Sequence, residues 1–172
     1  MKKILSILSL IFAMNMSAQD IDERGYRVRV GEKAPLFDFQ LLTGETINNE
    51  VLKGKVVVLQ FTGSWCSVCR KEMPVLEKEV WQRFKGEDFL LIGLDLKEDE
   101  SQAKMFAQKM GITYPMASDL EGNLFELFAG PKQGVTRNIV IDKKGEIIFL
   151  TRLFEIEEFQ KMVKVIELEL AK

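Results

Sequence analysis

Residues 56–61, Val-Val-Val-Leu-Gln-Phe, constrain the fold more than any other stretch. The run is apolar almost throughout and does not alternate, as a central strand covered on both faces should be. It predicts a sheet flanked by helices. The run leads through Thr62-Gly63-Ser64-Trp65 to Cys66-Ser67-Val68-Cys69, the chain's only two cysteines. A helical pattern follows, with Met73, Leu76, Val80, Trp81 and Phe84 on one face. If the helix begins at Ser67, Cys66 lies at its N-terminus, where unpaired backbone N–H groups and the positive end of the helix dipole favour thiolate over thiol. Thiolate is the nucleophile. Cys69 then lies one turn in, close enough to attack a mixed disulfide formed on Cys66, so the spacing suits reversible disulfide exchange.

Two other uses of the pair are weaker. A zinc site needs about four protein ligands, or three plus water, and the chain has no histidine and no third cysteine. No metal is therefore expected, and no cofactor either, since a dithiol itself carries two electrons. A purely structural bridge across so short a loop would restrain little of the unfolded chain. A strand, a CxxC pair and a helix in that order is the context that marks a redox motif.

Trp65-Cys66-x-x-Cys69 after a buried strand, with Pro74 five residues past the second cysteine, resembles the thioredoxin superfamily. Arg70-Lys71-Glu72-Met73-Pro74 is similar to its exported TlpA-like and ResA-like branch, and Gly31-Glu32-Lys33-Ala34-Pro35-Leu36-Phe37 resembles the opening which that branch shares with the peroxiredoxins (the AhpC/TSA type). The likeness covers roughly residues 31–170. It implies an α/β thioredoxin fold: a central mixed sheet flanked by helices, here with an N-terminal β-hairpin extension. It also implies a thiol–disulfide oxidoreductase that reduces disulfides of exported proteins, with electrons from a membrane-embedded or exported donor.

The N-terminus agrees with export. Lys2 and Lys3 form a basic start, residues 4–16 are mostly apolar, and Ala18 offers a small residue for cleavage. Residues 1–18 read as a cleavable signal peptide, leaving residues 19–172 as one thioredoxin-like domain. The apolar run is short for a bilayer span, which needs about 20 residues. With no cysteine near the cleavage point, a lipoprotein anchor is excluded. The expected location is periplasmic or secreted, where a CxxC pair is oxidised unless a donor reduces it. With 24 basic and 26 acidic residues there is no basic stripe for nucleic acid. A monomer is expected.

Elsewhere, alternation over residues 26–30 predicts a short edge strand. Residues 36–42 and 45–47 flank Thr43-Gly44 as a hairpin. Residues 49–52 read as one helical turn, 89–94 as a second buried strand, and 99–110 as a helix ended by Gly111. Residues 120–129 form a shorter helix. Strands at 138–142 and 146–150 are joined by Asp142-Lys143-Lys144-Gly145. Ile156, Phe159, Val163, Ile166 and Leu170 mark a last amphipathic helix. Pro74 should kink the first helix.

Several residues could tune the cysteines. Glu72 lies about one helical turn after Cys69, and the resemblance implies that a glutamate there handles protons. A partly buried carboxylate with a raised pKa could accept the Cys69 proton; the competing reading is a solvated surface glutamate. Gln60 stands where thioredoxin keeps a buried aspartate and cannot exchange protons. Trp65 is expected as a partly exposed lid beside the sulfurs. Thr136 replaces the cis-proline of the superfamily's Gly-Val-Pro. Because a non-proline cis bond costs about 2.5–4 kcal/mol, the peptide bond between Val135 and Thr136 should be trans, with a hydroxyl and a backbone N–H added near the sulfurs. Thr136-Arg137 before an apolar strand, with Asp142-x-x-Gly145 after it, resembles peroxiredoxins, and the resemblance implies Arg137 as the counterpart of the arginine that stabilises their thiolate; an exposed strand-edge arginine is the simpler expectation. A thiol peroxidase is accordingly the alternative function. Against it, the Pro-x-x-x-Thr/Ser-x-x-Cys pattern is absent, with Leu59 and Gly63 at those positions. A redox-inert binding module is a third class.

Overall fold

The computed structural model describes residues 21–172. The proposed signal peptide lies outside the described residues. Two short strands, β1 (Asp38–Gln40) and β2 (Thr46–Asn48), pair as the expected hairpin. The main sheet has five strands in the order β5-β4-β3-β6-β7. These are β3 (Val56–Thr62), β4 (Phe89–Leu96), β5 (Met116–Asp119), β6 (Arg137–Ile141) and β7 (Ile147–Arg152). β3, β4 and β5 run parallel, whereas β6 and β7 are antiparallel to their neighbours, so the sheet is mixed.

β3 is buried at all its positions, and its side chains feed two cores. Val56 and Val58 pack with Met73, Leu76 and Val80 of α1 (Ser67–Leu76) and its continuation, with Phe106 of α3 (Glu100–Met110), and with Phe159, Met162 and Ile166 of α5 (Ile156–Leu170). Val57, Leu59 and Phe61 pack on the other side with Phe125 and Phe128 of α4 (Asn123–Phe128) and with Tyr26, Phe37 and Ile47. Helices on both faces explain why the strand is apolar without alternation.

Pro74 has no N–H to continue the ladder. After α1 the helix widens into a π-helical turn (Glu77–Trp81) and ends in the short α2 (Gln82–Phe84). α3 starts with Asp99 and Gln102 in a reciprocal capping box and ends on Gly111 in the left-handed region.

Three local expectations are corrected. Residues 26–30 form no strand; Tyr26 makes a single bridge to Ala129, because the end of α4 offers only Phe128 and Ala129 to pair with. Tyr26 and Val28 are still buried, so the alternation reported burial rather than a ladder. Residues 49–52 form successive turns instead of a helix, with the Asn48 side chain accepting from Glu50 N and Val51 N. β5 was not anticipated: its four residues are short and half polar, and register with Gly93 to Leu96 makes it a strand.

Candidate active site

Cys66 is the N-cap of α1, in extended backbone, and its sulfur accepts the Cys69 N–H at 3.1 Å. The two cysteines are joined by a disulfide, with Cα atoms 5.3 Å apart. Cys66 is half-buried and Cys69 fully buried. Cys69 packs in the cluster of Phe61, Phe125 and Val135. Pro74, inside α1, is exposed.

Trp65 is 55% exposed, and its indole N–H donates to Leu96 O at 3.3 Å, which pins one edge of the ring. A Cβ on Gly63 would lie 2.8 Å from that indole. The residue before Trp65 is held as well. Ser64 N donates to Glu98 Oε2 at 2.6 Å, its hydroxyl donates to Glu98 Oε1, and its carbonyl accepts from Arg70 Nη1 at 2.5 Å. Glu98 also faces Asp95, which is fully buried at the end of β4. As a carboxylate Asp95 has no donor for either oxygen among the described residues. Burial and the neighbouring Glu98 push its pKa up to about 8, so near neutral pH it carries a proton and donates it to Glu98. Burial opposes the Glu98 charge, but hydrogen bonds from Asp95 and Ser64 outweigh it and hold that carboxyl below its ordinary range.

Glu72 is buried, which removes the surface reading. It lies in the stripe of α1 that also holds Cys69, Met73 and Leu76. Its Oε2 accepts from Gln60 Nε2 at 3.0 Å and its Oε1 from Asn138 Nδ2 at 2.8 Å. Gln60 and Asn138 are register partners on β3 and β6. Tyr114 donates to Gln60 Oε1 at 2.8 Å, and Asn138 Nδ2 also donates to Thr151 Oγ1 at 2.9 Å. Burial drives the Glu72 pKa up to about 7, with the two amide donors working against the rise. A carboxyl that titrates there can take or give a proton near neutral pH.

Thr136 closes the site from the other side. Its peptide bond to Val135 is trans and its backbone lies in the left-handed region, φ 65°. Its hydroxyl oxygen stands 3.1 Å from Cys66 Sγ and 3.0 Å from Cys69 Sγ. The loop's backbone is occupied internally. Thr136 N donates to Phe61 O, Leu153 N donates to Thr136 O, and Arg152 Nη1 donates to Val135 O.

Arg137 is corrected from exposed to fully buried. It is aimed at other groups than the sulfurs: Nε donates to Gly134 O at 2.9 Å, and the guanidinium lies 4.5 Å over the Tyr26 ring. Burial lowers its pKa from the ordinary value.

Asn138, Tyr114, Thr151, Asp95, Glu98 and Ser64 were not anticipated at the site. Asp95 had a signal, being the single polar residue in an otherwise apolar strand. Among the described residues no group of three or more Cys, Asp or Glu side chains is arranged to hold a metal ion.

A disulfide at the N-cap of the helix after the central strand, on a five-stranded mixed sheet, defines a protein of the thioredoxin fold. The model of the AhpC/TSA family matches residues 30–150. A thiol-disulfide oxidoreductase ResA of Bacillus anthracis is 32% identical over 123 residues, covering 71% of this chain and 69% of that protein. A solved Bacteroides thetaiotaomicron structure, provisionally assigned as a protein disulfide isomerase, is 46% identical with a TM-score of 0.83, covering 86% of this chain and 94% of that one. A thiol:disulfide interchange protein of Chlorobium tepidum shares the fold at 24% identity and a TM-score of 0.66, covering 80% and 97%. The chain belongs to the AhpC/TSA family, in the ResA-like branch of the thioredoxin superfamily.

Proposed function

We propose that this protein is an exported thiol–disulfide oxidoreductase that reduces disulfides of other exported proteins, with Cys66 attacking and Cys69 resolving. The observation that carries this reading is the asymmetry of the pair. Cys66 is half-open at a helix N-terminus and receives a backbone N–H, while Cys69 is enclosed one turn inside. Free N–H groups and the helix dipole stabilise the Cys66 thiolate. Burial disfavours the charged form of Cys69. Glu72, titrating near neutrality in the stripe of Cys69, serves as the proton acceptor for the second thiol. Trp65, next to the attacking cysteine in the chain, is held at the edge of the site by Leu96 O.

Export is supported by the leader-like residues 1–18. No helix among the described residues is long and apolar enough to cross a membrane. The electrons come from a membrane-embedded or exported dithiol donor, and the protein acts as a monomer.

Peroxidase chemistry is disfavoured by Arg137, which points at Tyr26 and Gly134. A hydroxyl-bearing side chain at residue 63 would also displace Trp65.

The test uses single-cysteine variants. Cys69→Ala should accumulate mixed disulfides on Cys66 with a protein substrate such as insulin, and Cys66→Ala should accumulate none. Capture by Cys69 alone would overturn the assignment. A midpoint potential near about −270 mV supports the reducing direction, and one near about −120 mV refutes it.

A further inference from the structure

The superfamily-like proline position beside the cysteines holds a β-branched residue in a backbone region such residues rarely adopt. Strain of this kind, on the order of 1–3 kcal/mol, persists only where surrounding structure enforces it. Here the enforcement is visible. The Thr136 N–H is bonded to Phe61 O of the central strand, and its carbonyl accepts from Leu153 N, another residue with positive φ. Both backbone groups therefore face into the protein's own sheet. The neighbouring carbonyls of Gly134 and Val135 are capped by Arg137 and Arg152. What this loop turns toward the disulfide is the Thr136 side chain, with one oxygen within 3.1 Å of each sulfur.

A hydroxyl can donate one hydrogen bond and accept others. Between two disulfide sulfurs it has only weak acceptors. Between a thiolate and a thiol it has a strong acceptor on one side and a donor on the other. The contact is therefore stronger in the dithiol state than in the disulfide state.

We propose that the Thr136 hydroxyl is a catalytic residue of the dithiol: it accepts the Cys69 S–H and donates to the Cys66 thiolate. This deepens the function proposed above and rests on Cys66 being the attacking sulfur. In the first step the Cys66 thiolate forms a bond to one substrate sulfur, and the substrate S–S bond breaks. The departing thiolate takes its proton from solvent. In the second step Cys69, whose S–H is held by the Thr136 oxygen, gives its proton to Glu72, and the second departing sulfur takes its proton from solvent. The Cys66–Cys69 bond forms and the bond from Cys66 to that sulfur breaks. Two electrons pass from the dithiol to the substrate disulfide.

The experiment compares Thr136→Val, which keeps the shape, Thr136→Gly, which also relieves the backbone, and Thr136→Ser, which keeps the hydroxyl. Two readouts are taken on each full chain: the pH dependence of Cys66 alkylation, and the dithiol/disulfide equilibrium against glutathione at pH 8. Loss of the hydroxyl should lower the Cys66 thiolate fraction, below its pKa, by at least about tenfold, the scale of one hydrogen bond to an ion. The glutathione equilibrium should move toward the disulfide by a similar factor. Val and Gly should agree, although Gly is the better-folded variant, and Ser should match the parent. Altered folding alone acts on both redox states and leaves both readouts in place. Val and Gly variants that titrate like the parent would overturn the proposal. If instead Cys66→Ser leaves insulin reduction intact, the function itself is wrong.

Discussion

Glu72→Gln isolates the buried carboxyl. In the unfolded chain this group titrates near the ordinary 4.5, and in the folded chain near about 7. A carboxyl whose pKa is raised by folding binds its proton more tightly in the native state, so stability falls as pH climbs through that interval. At 1.36 kcal/mol per unit the loss approaches about 3 kcal/mol, complete somewhat above pH 7. Glutamine has the same shape and no proton to lose. Its N–H would need an acceptor, and Asn138 Oδ1, buried without a partner, becomes one if the Asn138 amide turns over. The assay is urea unfolding of the oxidised protein at half-unit steps from pH 4.5 to 8.5, with the cysteines bridged so that they do not titrate. Below pH 5 the variant should equal the parent or fall slightly short of it. By pH 8 it should be more stable by about 3 kcal/mol relative to that starting difference. Two curves that stay parallel across the range would show that Glu72 keeps an ordinary pKa, and the proton role given to it would fall with that.

Asp95→Asn keeps a donor toward Glu98 and removes the proton, so the variant should lose the part of the parent's stability decline that runs from about pH 4 to about pH 8; thermal melts across that window measure it. Phe61→Ala removes a fully buried ring set edge-on to Phe125 at 5.3 Å and tilted to Phe128 at 5.7 Å. It should cost about 3–5 kcal/mol in denaturant unfolding. Gly63→Ala places a methyl group against the Trp65 indole and should lift it from Leu96 O. In a Trp81→Phe background, the Trp65 emission should shift to longer wavelength, and an unchanged spectrum would contradict the packing.

Much of this architecture was legible because one-dimensional patterns report burial directly. The solid apolar run became β3, and spacing of three and four placed α1 and α5. Patterns fail where pairing is decided by a distant partner. Met116-Ala117-Ser118-Asp119 has no strand signature of its own and is a strand because β4 lies beside it. Residues 26–30 carry such a signature and lack a neighbour long enough to use it. At the site, the two cysteines, Glu72 and Thr136 could be found by position along the chain. The burial of Arg137 could not, because it depends on Tyr26, more than a hundred residues earlier, arriving beneath its guanidinium. The Asp95 and Glu98 pair was hidden for the same reason, since its meaning comes from Ser64 in another loop.

The amides around Glu72 also bear on how the chain chooses its pairing. A slip of two residues between β3 and β6 would keep every side chain on its original face, so the apolar pattern alone tolerates it. It would not keep Gln60 opposite Asn138. Slipped by two toward Val140, the carboxyl on α1 would keep Gln60 but lose its second N–H donor to an aliphatic side chain, and a buried hydrogen bond left unmade costs about 1–3 kcal/mol. The polar trio thus works as an alignment mark across the centre of the sheet. It lets the interior distinguish one register from its near-copies at the moment the helix docks.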